Sequence, residues 1–265
     1  MPSAPRDNIF PFIRHEQVAK DAYAFFFNTS EKDFSFIPGQ YIRIQLTLPE
    51  PDPKGNGRFF SLTTSPLQKD MIRIVTRVRG SVFKNTLLNL APETPVTVFG
   101  PVGRFVLDEQ STKPLVFLAG GIGITPYLSM IQYAAEKNLS LPMTLIASFS
   151  TVEDCIYYNT LSQVAREHKN IKIVFSISQP EASRPKDDQP LGLSSRDRRP
   201  LAGTTPWKGE VGRISAELIK KYVPEYYGSM FYIAGPPPMV EGMLGIVSEM
   251  GVPPESIKKE QFTGY

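Results

Sequence analysis

One cysteine, Cys155, and two histidines, His15 and His168, are the whole of the thiol and imidazole chemistry in this chain. A lone cysteine excludes an intramolecular disulfide, and it excludes a four-cysteine iron–sulfur cluster or zinc site assembled from this chain alone. The histidines lie far apart in sequence and outside every motif described below, which makes them surface residues rather than ligands or bases. No Ser/His/Asp arrangement and no metal-ligand spacing is present, so no metal is expected. Long apolar runs are missing too, and none reaches membrane-spanning length. The opening residues, Met-Pro-Ser-Ala-Pro-Arg-Asp, have no charged-then-apolar leader layout, and the expectation is a cytoplasmic protein without a membrane span. An excess of one charge is also lacking, since 29 basic and 26 acidic residues leave a formal net charge of +3. That balance is too mild for a nucleic-acid footprint, though a slightly basic surface suits an acidic partner.

What is present is ordinary globular composition, 41% hydrophobic and 21% charged over 265 residues, enough for one large core or two modest ones. Two domains are expected, because the pattern changes once along the chain. From Asn8 to about Asp108, short β-type runs are divided by Pro, Gly and Asn, the cadence of an antiparallel barrel or sandwich. Strands are predicted over 9–15, 22–27, 41–48, 58–64, 71–78 and 96–99. Ile42, Ile44, Leu46 and Leu48 alternate onto one face, as a strand with one buried side requires. Ser81 predicts the N-cap of a helix whose apolar face is Val82, Phe83, Leu87, Leu88 and Leu90, ended by Pro92. After a polar joint at 109–113, apolar strands (115–119, 143–149, 171–178, 229–234, 256–262) alternate with helices (126–137, 152–168, 215–222, 238–250). That order predicts a parallel sheet with crossovers.

The stretch 115–126, Leu-Val-Phe-Leu-Ala-Gly-Gly-Ile-Gly-Ile-Thr-Pro, reads as a buried strand entering a glycine turn and a helix. Gly120, Gly121 and Gly123 would let a pyrophosphate approach the backbone, with Thr125 as N-cap and Pro126 at the first helical position. A plain strand-to-helix turn is the alternative reading. Ligands of open parallel sheets bind beyond the carboxyl ends of the strands, so 120–125, 148–150 and 235–239 predict one shared pocket. In the first half, Arg58-Phe59-Phe60-Ser61 sets a bidentate cation and an aromatic on one strand face, suited to a phosphate and a flat heterocycle. An exposed arginine beside two core phenylalanines is the alternative.

Pro38-Gly-Gln-Tyr41, Arg58-Phe-Phe-Ser61, Gly120-Gly-Ile-Gly-Ile-Thr-Pro126, Gly235-Pro-Pro-Pro-Met239 and Glu260-Gln-Phe262, in that order, resemble the ferredoxin–NADP reductase superfamily. The resemblance covers nearly the whole chain. It implies an antiparallel β-barrel flavin domain (1–110) followed by an α/β parallel-sheet NAD(P)-binding domain (111–265), with hydride passing between nicotinamide and flavin at their junction. By the same resemblance Arg58 meets the flavin phosphate, Phe59 and Phe60 belong to the flavin strand with Phe60 against the isoalloxazine, and Ser61 lies near N5. Thr76, Arg77 and the segment Gly80, Ser81, Val82 and Phe83 wrap the ribityl and pyrophosphate; apart from the resemblance, Lys84 close behind a helix N-terminus provides for a second phosphate. Gly120, Gly121, Gly123, Thr125, Pro126, Ser148, Ser150, Gly235, Pro236 and Met239 hold the nicotinamide dinucleotide. Ser61, Glu260 and Phe262 are the implied catalytic group, Phe262 covering the flavin and Glu260 assisting proton movement, with Tyr265 as a second cover.

The chain departs from the family's commonest pattern at four places. Phe60 stands for a tyrosine and keeps a stacking face without a phenol. Phe83 stands for a serine or threonine, which opens the choice between FAD and FMN; Lys84 behind a helix start favours FAD. An arginine is missing after Ser150, where Glu153 and Asp154 follow, and these carboxylates favour NADH over NADPH. Arginines and a lysine of the 180–207 segment (Arg184, Lys186, Arg196, Arg198, Arg199) are a counter-reading, a solvated loop the simpler one. Many relatives carry cysteine where Ala234 stands, and Cys155, on a predicted helix, is read as packing. The expected function is a flavoprotein oxidoreductase taking hydride from NADH or NADPH onto FAD and passing electrons to a ferredoxin, flavodoxin, cytochrome, oxygenase component or small acceptor. A reductase of free flavin or ferric chelates, and a non-catalytic nucleotide-binding subunit of an electron-transfer complex, are the alternatives.

Overall fold

The computed structural model describes residues 4–179 and 207–263. Arg184, Lys186, Arg196, Arg198, Arg199 and Tyr265 lie outside the described residues. The first half forms strands β1 (Arg6–Ala19), β2 (Ala22–Asn28), β3 (Tyr41–Gln45), β4 (Gly57–Ser61), β5 (Met71–Arg77) and β6 (Pro95–Val102), with helix α1 (Val82–Leu88) between the last two. All pairings are antiparallel in the order β4-β3-β6-β1-β2-β5, and a bridge from Leu62 to Ile74 joins the two outer strands into a barrel. β1 serves both halves of the barrel: its start pairs with β6, its end with β2, and register shifts at Phe12/Arg14 and Gln17/Ala19 bend it. Ile42 and Ile44 point inward as their alternation requires, joining Phe10, Phe25, Phe27, Phe60 and Phe83 in the barrel core. β3 stops at Gln45 and β4 at Ser61, earlier than the apolar pattern alone predicts, and beyond Ser61 only Leu62 pairs, as the bridge to Ile74.

The second half contains β7 (Leu115–Gly120), α2 (Thr125–Glu136), β8 (Met143–Phe149), α3 (Tyr158–Glu167), β9 (Ile171–Ile177), β10 (Glu210–Val211), α4 (Ala216–Tyr222), β11 (Met230–Gly235), α5 (Pro237–Glu249) and β12 (Ile257–Gln261). They form a parallel sheet in the order β10-β9-β8-β7-β11-β12. Every residue of β7 is buried, as a central strand covered on both faces must be. The helix predicted over 152–168 is broken. A 3₁₀ turn at Val152–Asp154, closed by a Thr151–Asp154 capping box, gives way to an extended Cys155 and to Tyr157 at φ 53° before α3 begins. Cys155 therefore sits in a buried loop, and burial pushes its thiol up to about 12, which keeps it protonated.

The two sheets share one apolar seam. Ala22, Ala24, Phe26 and Val75 from the outside of the barrel pack in the same cluster as Ile122, Ile124 and Ile156 of the second half. Polar ties reinforce it: Arg77 Nη1 meets Asp154 Oδ1 at 2.9 Å, and the Lys20 N–H donates to the Glu153 carbonyl at 2.8 Å. Arg73 lies 4.7 Å over the Tyr157 ring. Gly39, at φ 101°, sits at a tight point of this seam, because a Cβ there would run into the Phe105 carbonyl and the Met130 methyl. Gly39→Ala is expected to cost about 2–4 kcal/mol by urea unfolding, from a strained φ plus overpacking. A loss under about 0.5 kcal/mol, the size of an ordinary surface change, would contradict this account of the seam.

Candidate active site

Two cavities lie where the halves meet. The larger, about 750 Å³, opens beyond the carboxyl ends of β7, β8 and β11, and Gly120, Gly121, Ser148, Ser150, Pro236 and Met239 line it. The three predicted strand-end motifs thus share one pocket. Their glycines have different jobs. A Cβ on Gly120 would strike Met239, and one on Gly123 would strike the Ala234 carbonyl, so both are required for packing of the β7 turn against β11. Only Gly121, at φ 52° with open space before it, leaves backbone exposed to an incoming group. Thr125 is not the N-cap. A 3₁₀ turn at Gly121–Ile124 leads into α2, Thr125 occupies the first helical position, and its hydroxyl donates to the Ile122 carbonyl at 3.0 Å. Pro126 accordingly stands second.

At β11, Gly235 has φ 153° and Pro236 caps α5. Pro237 and Pro238 have no N–H, and the next two, on Met239 and Val240, donate to the Pro236 carbonyl. This turn is therefore an apolar wall suited to a flat ring rather than an anion seat. Ser178 and Arg213 complete the polar side of the cavity. Glu153 is exposed and lies outside the cavity lining, while Asp154 lines the cavity and is held there by Arg77 and by the Thr151 N–H and hydroxyl.

The smaller cavity, about 240 Å³, runs along β4, the outer strand, and brings Tyr41, Phe59, Phe60 and Ser61 against Glu260 and Phe262. Residues some two hundred positions apart thus meet because β12 pairs with β11, setting Ala234 opposite Glu260. The Phe262 N–H donates to the Gly235 carbonyl at 2.9 Å, tying the tail to the apolar wall of the first cavity. Arg58 and Phe60 do share a strand face, but it is the barrel interior: Phe60 stacks on Phe83 at 6.1 Å, and Phe59 points out, 60% exposed. Glu260 Oε2 is buried with no hydrogen-bond partner among the described residues, and burial raises the carboxyl to about 7.

The segment expected to wrap a pyrophosphate is divided. Arg58 folds back onto Asp52 and the carbonyls of Lys54, Gly55 and Gly57. Thr76 is buried, Arg77 reaches the larger cavity while paired with Asp154, and Phe83 belongs to the barrel core. Gly80 and Val82 face a separate surface groove, and the Ser81 hydroxyl donates to Asp52. Lys84 alone of this segment lines both cavities. Sequence reasoning missed Asp52, Ser178 and the cavity position of Arg213. The only signal for Asp52 was a carboxylate in the proline- and glycine-rich turn just before Arg58.

The family of oxidoreductase NAD-binding domains matches residues 117–190. The chain is 27% identical over 258 residues to a flavohemoprotein of Bacillus subtilis, covering 95% of this chain and 59% of that protein. It is 26% identical over 240 residues to the toluate 1,2-dioxygenase electron transfer component of Pseudomonas putida, covering 89% and 61%. The chain thus spans about three fifths of the length of these curated relatives. Among solved structures, the FAD/NAD-binding domain of a Vibrio cholerae nitric oxide dioxygenase superposes with a TM-score of 0.77 at 18% identity, over 97% of this chain and 99% of that one. A Neisseria gonorrhoeae ferredoxin NADP+ reductase with bound FAD and NADP gives 0.72 at 18% identity, over 96% and 98%. No helix among the described residues is long and apolar enough to cross a membrane.

The buried Glu260 carboxyl generates a signed prediction. Its neutral form is favoured in the fold, so its stabilisation is complete below the ordinary carboxyl value and is lost as pH rises through about 7. Glu260→Gln is expected to match the parent near pH 5 and to exceed it by about 1–2 kcal/mol near pH 8, less than the full shift because the side chain is partly exposed. Equal stability at both pH values, by urea unfolding, would contradict the assignment.

Proposed function

We propose that this chain, which belongs to the ferredoxin–NADP reductase-like family of FAD- and NAD(P)-binding oxidoreductases, takes hydride from NADH or NADPH onto FAD and delivers electrons to a redox partner. The observation that carries the reading is the meeting of two cavities at one junction, the tail bearing Glu260 and Phe262 tied by hydrogen bond to the Gly235 turn. The division of labour proposed is residues 1–110 for flavin and 111–265 for the nicotinamide dinucleotide. The flavin, when bound, supplies two-electron acceptance from a hydride donor and stepwise release to single-electron acceptors.

The residues present fit such a group. The β4 edge with Ser61 offers hydrogen bonds beside N5, and Phe60 and Phe262 offer apolar faces. FAD is proposed over FMN because Lys84 extends the positive wall from the ring cavity into the dinucleotide cavity. Gly121 provides open backbone for a nicotinamide dinucleotide phosphate, and Pro236 with Met239 shapes the wall against which its ring is oriented. Ser61 orients, Phe262 excludes water and yields to the nicotinamide, and Glu260, protonated to about pH 7, holds a proton at Oε2 for exchange at the ring edge. The relatives' names support an oxygenase component, a ferredoxin or a haem domain as acceptor, with flavodoxin or a small molecule as further acceptors of the same class.

Arg213, beside Ser150 and Ser178, decides how well a ribose 2′-phosphate is accepted. Arg213→Gln is expected to lower kcat/KM for NADPH about tenfold relative to NADH, the loss of one charge-assisted contact; an unchanged ratio would remove Arg213 from that role. The function itself is tested with purified, FAD-supplemented chain, NADH or NADPH, and ferricyanide. Turnover with either nucleotide is expected. Bound flavin without turnover would instead support a non-catalytic subunit. The engagement of Arg58 by Asp52 favours one second reading, an exchangeable flavin serving as substrate; loss of all flavin on gel filtration would select it.

A further inference from the structure

Of the motif Pro38-Gly-Gln-Tyr41, only Tyr41 lines either cavity. The turn lies instead against residues 103–107, where the chain leaves β6 on its way to the second sheet. Gln40 is buried, and its side chain is bonded at both ends. Oε1 accepts the Ile37 N–H at 2.9 Å, closing the turn, and Nε2 donates to the Gly103 carbonyl at 3.5 Å. The backbone of the turn is engaged as well. The Pro38 carbonyl accepts the Leu107 N–H at 3.0 Å, and the Gln40 carbonyl accepts the Leu62 N–H at 2.9 Å, one residue beyond Ser61. Gly103 stands at φ 112°, and a Cβ there would lie 2.8 Å from the Tyr41 ring. No slack is left between turn and connection.

The other side of 103–107 meets the second sheet. Phe105 is buried, with its ring 6.0 Å from that of Tyr127 on α2 and 5.4 Å from that of Tyr232 on β11. The Tyr232 hydroxyl donates to the Val106 carbonyl at 3.1 Å, and the Tyr127 hydroxyl donates to the Tyr232 carbonyl at 2.9 Å. β11 then runs on into the Gly235 turn. A continuous run of contacts therefore joins the ring cavity at Ser61 to the wall of the dinucleotide cavity at Gly235, through Gln40, Phe105 and Tyr232. Connections between domains are ordinarily exposed and crossed by few contacts. This one is buried and bonded on both sides, and a buried amide such as that of Gln40 is costly unless its polar atoms are paired.

We infer that Gln40 and Phe105 are positioning residues for hydride transfer: they make 103–107 a rigid spacer that fixes the Ser61 strand relative to the Gly235 turn. This rests on the proposed hydride step, which the spacer serves. Neither residue lines a cavity, so losing either one should change alignment and leave affinity for both bound groups intact.

The test compares FAD-loaded parent protein with Gln40→Met, similar in length but without the amide, and with Phe105→Leu. Anaerobic mixing with NADH, or with NADPH where that nucleotide reduces the parent, gives the limiting rate of flavin bleaching and the half-saturating concentration. Each variant should lose at least about tenfold in limiting rate and keep half-saturation and FAD affinity within about twofold, the pattern of misplaced reacting atoms. A second readout needs no flavin. In the apoprotein the Leu107 amide should exchange with deuterium at least about tenfold faster in either variant, while the Leu118 amide of central β7 is unchanged. Parental bleaching rates in either variant overturn the inference, as does a loss confined to half-saturation or FAD affinity, or an unchanged Leu107 amide. If one variant does not fold, the other decides. Parent protein that neither nucleotide bleaches overturns the hydride reading and the positioning role with it; Leu107 exchange then separates a spacer without a reaction from no spacer at all.

Discussion

The apolar seam between the barrel wall and the Gly121–Ile124 turn is the constraint on which the rest of the molecule depends. Ala22, Ala24, Phe26 and Val75 of the barrel wall share one apolar cluster with Ile122 and Ile124, and β5 approaches the turn itself. The turn that packs is also the turn that begins with the open glycine, so burying its isoleucines fixes Gly121 relative to the barrel. Hydrophobic contact sets the distance between the halves but has no direction. Orientation comes from the rim, where Arg77 meets Asp154 and Arg73 covers Tyr157. Two cavities on either side of such a seam keep a fixed separation, which is the geometric requirement for direct transfer between two bound rings.

Charge at the junction follows one rule: two of its arginines already have carboxylate partners within the chain. Asp52 holds Arg58 and Asp154 holds Arg77. These pairs make the 52–57 turn and the inter-domain rim part of the scaffold. Lys84 and Glu260, both lining the ring cavity, are two ionisable groups displaced toward neutral pH, one lowered to about 8 and the other raised to about 7, each chiefly by burial. Perturbed groups gathered in one cleft mark a site in which the protonation state depends on what occupies it.

Much of this was legible in the sequence, and the reasons differ by residue. Period-two spacing of Ile42 and Ile44 specified a strand face, and the unbroken apolar run of β7 specified a central parallel strand, because both patterns report local burial. The convergence of Gly120, Ser148 and Pro236 followed from topology, since parallel strands bring their carboxyl ends to one edge. Contacts made across the fold were hidden. The engagement of Arg58 by Asp52 was not visible, because no local pattern reveals that the 52–57 turn brings the carboxylate back upon the guanidinium. The helix over 152–168 breaks because Asp154 is drawn to a residue of the other half, a tertiary contact that overrides helical propensity. Gly120 and Gly123 looked equivalent to Gly121, yet only their neighbours Met239 and Ala234 show that they serve packing.

Alignment of a nicotinamide ring with a flavin closely enough for direct hydride transfer is tested most directly by anaerobic stopped-flow bleaching of the flavin band, using reduced nicotinamide dinucleotide that carries hydrogen or two deuterium atoms at its transferring carbon. A single-turnover bleach that is slower with the deuterated donor is the result predicted, because the bond broken is the one that the two cavities bring to the flavin. A flavin band that neither NADH nor NADPH bleaches would contradict the account.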